Sequence, residues 1–216
     1  MTPMKEDYLK IIFELGGTKK KITNKQISLS LNVAAGSVTE MVSKLVKEGL
    51  AAHTPYAGIS LTPQGIKLAE QLVRRHRLWE TFLYDKLGYK LADVHDDAEI
   101  LEHTTSDRLM NHLDAFLGYP THCPHGGVIP SADGKYQEDS HLVLADVADG
   151  QTVVVERFID NHDLLTYLDG LELKIGDRLK VLDHQPFEGP VKIQLVADPG
   201  QIVNVSFKAA HYIFVK

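Results

Sequence analysis

Apolar residues recur at helical spacing from the start of the chain, through Met4, Tyr8, Leu9, Ile11, Ile12 and Leu15. Gly16-Gly17 closes that run with residues tolerant of positive φ. Thr23 stands as an N-cap before Asn24-Lys25-Gln26-Ile27, with Gln26 placed for a capping box, which predicts a second helix to about Leu31. After a short turn at Asn32-Val33 the spacing restarts through Val38, Met41, Val42 and Leu45, predicting a third helix over Ala34 to Glu48. Two helices joined by a tight turn outline a helix-turn-helix. The segments 49–53 and 59–62 then flank Pro55-Tyr56-Ala57-Gly58, which predicts a short β-hairpin, or wing.

Pro63, preceded by Thr62, suits the first position of a long helix carried by Ile66, Leu68, Leu72, Leu78, Phe82 and Leu83 to about Leu87. Helices over Leu91 to Thr104 and Ser106 to Leu117 follow, the second capped by Ser106. A Gly/Pro-rich stretch over 118–134 ends the helical part. Beyond it the period becomes two, in 153–155, 179–181, 191–193 and 212–215, with a turn at Ile175-Gly176-Asp177. The fold class predicted is mainly α with a small C-terminal β-barrel, in three domains over 1–72, 73–140 and 141–216.

The net charge of -6 hides an asymmetry. Residues 1–77 carry 12 Lys+Arg against 6 Asp+Glu, whereas the remainder carries 11 against 23. A basic segment gains by releasing counterions from phosphate, and an acidic one can hold cations. No apolar run approaches the roughly 20 residues a membrane helix needs, and the first residues lack the order of a secretory leader. With the single Cys123 excluding an internal disulfide framework, a cytoplasmic chain with no membrane partner is expected.

His95, Glu99, Glu102 and His103 recur at offsets of four, three and one, so they share one helical face. Carboxylates and imidazoles at that spacing form a half-cage for a divalent cation, while carboxylates without one repel each other. The plain alternative is a solvated polar face. His76 and Glu80 lie one turn apart on the preceding helix, where an ordinary i,i+4 pair is the competing reading. Cys123 and His125, two residues apart in a Gly/Pro loop, can both reach a metal.

Glu6-Asp7-Tyr8-Leu9, the helix-turn-helix with Val38-Thr39-Glu40-Met41, Arg75-His76-Arg77-Leu78 and the helix from His95 to His103 followed by Ser106-Asp107 together resemble the diphtheria-toxin-repressor family. The likeness spans nearly the whole chain. Asp7 and Glu99, where iron-responsive members have Met and Cys, resemble the manganese-responsive branch, and the Cys-Pro-His-Gly-Gly loop resembles its three-domain members. The resemblance implies a winged helix-turn-helix, a helical dimerisation and metal-binding domain, and an SH3-like, FeoA-like barrel. It implies a primary metal site of Asp7, Glu99, Glu102 and His103. It also implies an ancillary site matching His76, Glu80 and His95 with Asp160, or one in which Cys123 and His125 join Glu80 and Asp160. Asp163 also falls where a barrel ligand can lie.

Three carboxylates and one imidazole are a hard donor set suited to Mn2+, though the affinity series lets Fe2+ or Zn2+ bind as well. The function expected is a manganese-dependent repressor of metal-uptake genes, binding operator DNA as a homodimer, with no small organic substrate. Metal shared between Asp7 and the helix bearing Glu102 would bias the reader toward successive major grooves about 34 Å apart. Ser37, Thr39, Glu40 and Lys44 are the candidates for DNA contact, on a helix whose Ala34-Ala35-Gly36 start allows close approach. The alternatives are an iron- or zinc-responsive regulator of the same build, a winged-helix protein with a structural metal, and a metalloenzyme, whose activated water would need an open coordination position.

Overall fold

The computed structural model describes the chain except residues 134–135 and 137–141, so the expected boundary at 140–141 lies outside the described residues. Two compact units are present. The first comprises Met1–His76, Ile100–His112 and Pro130–Tyr136; the second comprises Arg77–Glu99, Leu113–Ile129 and Gln137–Lys216.

In the first unit, α1 (Pro3–Glu14), α2 (Asn24–Leu31) and α3 (Ala35–Lys47) precede the hairpin β1 (Ala51–Thr54) and β2 (Gly58–Leu61). Thr23 and Gln26 close a reciprocal capping box on α2, and Asn32, at φ 51, ends that helix in the left-handed region. Ala34 is extended, so α3 starts afresh after a turn of a few residues. Leu9, Ile12, Ile22, Ile27, Val38, Leu45 and Ile59 are fully buried in one core, which holds the three helices against the hairpin. Ile22 pairs with Ile59 as a bridge beside the hairpin. Gly58, at φ +117, allows that approach because a Cβ would stand 2.7 Å from the Ile22 carbonyl oxygen. The long helix α4 (Pro63–Leu87) begins as expected at Pro63, with the Thr62 hydroxyl accepting from Gly65 N–H at 3.1 Å.

Of the helices that follow, α5 (Val94–Thr104) is preceded by a 3-10 turn at Leu91–Asp93, and α6 spans Asp107–Phe116. The second unit holds a five-stranded antiparallel sheet of β3 (Thr152–Phe158), β4 (Arg178–His184), β5 (Val191–Leu195), β6 (Ile202–Val205) and β7 (Ile213–Val215). Its order is β6-β5-β4-β3-β7. Alternate residues face one core, with Val155, Leu179, Val181, Ile193, Val205 and Ile213 buried. The helix α7 (His162–Gly170) covers them with Leu164, Leu165 and Leu168. Among the described residues the sheet is open: its outer strands have four and three residues, and they are separated in the chain by the single-turn helix α8 (Phe207–Ala210) rather than by a hairpin. The SH3-like class therefore takes an open-edged form.

Because the capping box satisfies two otherwise orphaned donors, Thr23→Ala should lower stability by about 1 kcal/mol without moving the baselines of urea denaturation followed by far-UV circular dichroism.

Candidate metal centres and DNA interface

In the first unit, α1 presents Glu6, Asp7 and Lys10, and α5 presents Glu102 and His103. Asp7, Glu102 and His103 each offer a donor atom within 4.8 Å of the others. The His103 ring lies between two carboxylates, with Nδ1 2.6 Å from Glu6 Oε2 and Nε2 3.0 Å from Asp7 Oδ1. Its Nε2 also stands 3.8 Å from Glu102 Oε1. If Nδ1–H donates to Glu6, the lone pair falls on Nε2, toward the two other donors. A ligating histidine typically gives its second N–H to a carboxylate or carbonyl in this way. Glu102 is fully buried, and Lys10 Nζ lies 3.0 Å from each of its oxygens. His76, also buried, sets Nδ1 2.5 Å from Glu102 Oε2.

In the second unit the donors gather around Glu80, which is 1% exposed. Glu80, Cys123 and His125 form one group, and Glu80, His95 and Asp160 another, each within 4.8 Å. The loop bearing Cys123 and His125 is a turn closed by Gly126 N–H to the Cys123 carbonyl and by Cys123 N–H to the Gly127 carbonyl, both at 2.9 Å. Gly126 sits at φ +82, where a Cβ would fall 2.1 Å from the Glu156 carbonyl oxygen, so glycine alone lets this loop lie on β3. His125 Nε2 donates to the Leu91 carbonyl at 3.1 Å, leaving Nδ1 facing Glu80 Oε1 at 3.1 Å. Burial would push the His125 imidazolium toward deprotonation. The Glu80 charge, hydrogen bonds with Cys123 and Glu80, and the Asp160 charge outweigh that and hold its pKa well above the ordinary value. Asp160 stands just before Asn161, the N-cap of α7, and pairs with His95 Nδ1.

Each group concentrates acidic oxygens and imidazole nitrogens, and His103 and His125 each point one nitrogen at their group's carboxylates while the other is hydrogen-bonded, to Glu6 and to the Leu91 carbonyl. That donor chemistry fits a divalent cation. Glu99 stands one turn before Glu102 and His103 on α5, with Oε2 3.9 Å from His95 Nε2. His76 is engaged by Glu102 and Lys10 in the first unit. Asp163 lies in the first turn of α7 and belongs to none of these groups. Glu6 and Lys10 were not among the expected site residues. The available signal was spacing, since Lys10 falls three and four residues after Asp7 and Glu6 and so shares their helical face.

On α3, Ser37, Thr39, Glu40 and Lys44 are all exposed while Val38, Met41, Val42 and Leu45 are buried, so the polar candidates lie on the face turned away from the core. Glu40 and Lys44 pair at 2.7 Å, and the Lys44 hydrogen bond and charge lower the Glu40 carboxyl below its usual pKa. Thr39 accepts from Asn24 Nδ2 at 3.0 Å, tying α3 to α2. Tyr56 at the hairpin tip is fully exposed, at φ 63.

A helix-turn-helix with a hairpin wing, joined to buried oxygen-rich donor groups, defines a metal-binding DNA-binding regulator. Residues 1–59 match the iron-dependent repressor N-terminal DNA-binding domain, residues 62–131 its metal-binding and dimerisation domain, and residues 142–216 the FeoA domain. The manganese regulator SloR is 42% identical, with a TM-score of 0.87 over 100% of this chain and 99% of that one. A manganese-dependent transcriptional repressor in complex with manganese is 37% identical, with a TM-score of 0.88 over 98% of each chain. The diphtheria toxin repressor of Corynebacterium efficiens is 27% identical over 98% of this chain and 94% of its own length. The chain belongs to the iron-dependent repressor family, whose members are metal-dependent transcription repressors and not enzymes.

Since Glu6 orients His103, Glu6→Gln should weaken Mn2+ binding at this group by roughly 10–100-fold, read by competition with a fluorescent chelator. The far-UV spectrum should not change. An unchanged affinity would show that the Glu6–His103 pair only packs α1 against α5.

Proposed function

We propose that the protein is a cytoplasmic, homodimeric repressor that binds operator DNA when Mn2+ is available and controls metal-uptake genes, acting on no small organic substrate. The observation that carries it is the group of Asp7, Glu102 and His103, because it joins α1 of the DNA-binding domain to α5 of the metal-binding domain. Both solved manganese regulators resemble this chain along almost all of it. Asp7, Glu102 and His103, with Glu99 on the same face of α5, are the primary ligands in this reading. Glu80, Cys123, His125 and Asp160, with His95, are the ancillary set, and His76 supports Glu102. Fe2+ and Zn2+ remain competitors, since oxygen and nitrogen donors bind them at least as tightly.

The residues 1–72, 73–140 and 141–216 serve as reader, dimerisation and metal-binding domain, and SH3-like domain. Tyr84, Leu87 and Phe116, exposed apolar side chains in the second domain, suit coverage by a second copy. No helix among the described residues is long and apolar enough to cross a membrane. The bound cation supplies positive charge that removes the repulsion between the carboxylates. This chain's residues then do the rest: Asp7 anchors α1 to α5, and Ser37, Thr39, Glu40 and Lys44 meet DNA.

Fluorescence anisotropy of the protein on DNA from its own upstream region, at one fixed salt concentration, tests this. Mn2+ should tighten binding about tenfold or more, roughly 1.4 kcal/mol of coupling, and Asp7→Ala should abolish that gain. Binding that ignores a chelator would leave any metal a structural role.

A further inference from the structure

In the first unit a lysine ammonium is buried against a carboxylate that also belongs to the candidate metal group. Lys10 is 7% exposed and Glu102 is wholly buried, with both Glu102 oxygens 3.0 Å from Lys10 Nζ. The same nitrogen lies 3.4 Å from His76 Nδ1. Glu102 Oε1 also stands 3.8 Å from His103 Nε2, and Asp7 Oδ1 is 3.0 Å from that nitrogen. One carboxylate is therefore addressed by an internal cation from α1 and by the donor group meant for an external one.

Resting on the metal reading above, we infer that Lys10 is an internal counter-cation that competes with the divalent ion for Glu102 and so sets the metal concentration at which the protein responds. Two consequences follow from charge alone. Without metal, Lys10 compensates Glu102, which would otherwise be a buried charge at heavy cost, and keeps α1 joined to α5. With metal, the ion must share or take the Glu102 lone pairs and meet a positive neighbour within a few ångströms. Like charges at that distance in a partly dry site repel strongly, so Lys10 lowers affinity below what the acidic donors would give. The weakening is useful in a sensor, whose affinity has to sit near the concentration it reads.

The test is an Mn2+ titration of the full chain by chelator competition, in a His125→Ala background that removes a donor of the second unit from the signal. Lys10→Met and Lys10→Gln, which delete the charge, should tighten Mn2+ about tenfold or more, while Lys10→Arg should stay within about threefold. The thermal midpoint of the metal-free protein should fall in the neutral variants and recover with saturating Mn2+. Neutral variants that fold and bind Mn2+ no tighter overturn the inference. Variants that fold neither with nor without Mn2+ overturn it too, since Lys10 would then hold the fold rather than a place for the ion. An Asp7→Ala protein that binds Mn2+ as well as its parent sinks the metal reading itself, whatever Lys10 does.

Discussion

Glu102 is buried where water does not reach, and a carboxylate placed there needs a cation or several hydrogen-bond donors beside it. The first unit meets that need with Lys10 from α1 and His76 from α4 converging on one side chain of α5. The pair ties helices 92 residues apart in sequence. Removing one partner of a buried pair costs about 3–5 kcal/mol, so the arrangement constrains which side chains can surround it. Together with the contacts of His103 to Glu6 and Asp7, this charge joins α1 to α5, which makes the first unit sensitive to whichever cation answers it.

Glu80 poses the same problem in the second unit with a different answer. There the partner is histidine: the Glu80 and Asp160 charges hold the pKa of the buried His125 well above its ordinary value. Both groups thus set nitrogen donors against buried carboxylates, and both present oxygens that a divalent ion could take over. A donor group with no internal compensation would push its own helices apart, and one compensated too well would not exchange its partner for a metal.

Much of the fold is written in short-range patterns. Helical spacing, the Thr23 box, Pro63 after Thr62 and the turn residues around Tyr56 place α1 to α4 and the hairpin, because each depends on residues within one or two turns. The strand β6 escapes that reading since it is four residues long with Ile202 half exposed, and α7 escapes because its Leu164, Leu165 and Leu168 sit among His, Asp and Thr. Alternation locates strands but says nothing of sheet closure, which depends on whether distant edges pair. The donor residues on α5 are legible as a shared face. Their partners are not: a lysine at position 10 reads as surface until the fold buries it, and nothing local tells His76 to set its Nδ1 against Glu102.

The two groups also differ in the softness of their donors, and that difference suggests a division of labour. Asp7, Glu102 and His103 offer oxygen and imidazole only, which suits a hard ion held loosely beside the positive Lys10. Cys123 adds a thiol to Glu80 and His125 in a loop whose backbone is fixed by Gly126. Thiolate strengthens binding to softer metals and leaves less room for exchange, since the loop cannot move off β3 without losing the Phe158 N–H to His125 carbonyl hydrogen bond at 3.0 Å. On the proposed reading, the group beside Lys10 is the one that responds to a changing manganese concentration, and the sulfur-containing group, with its loop fixed on β3, is the one that holds its unit in one form.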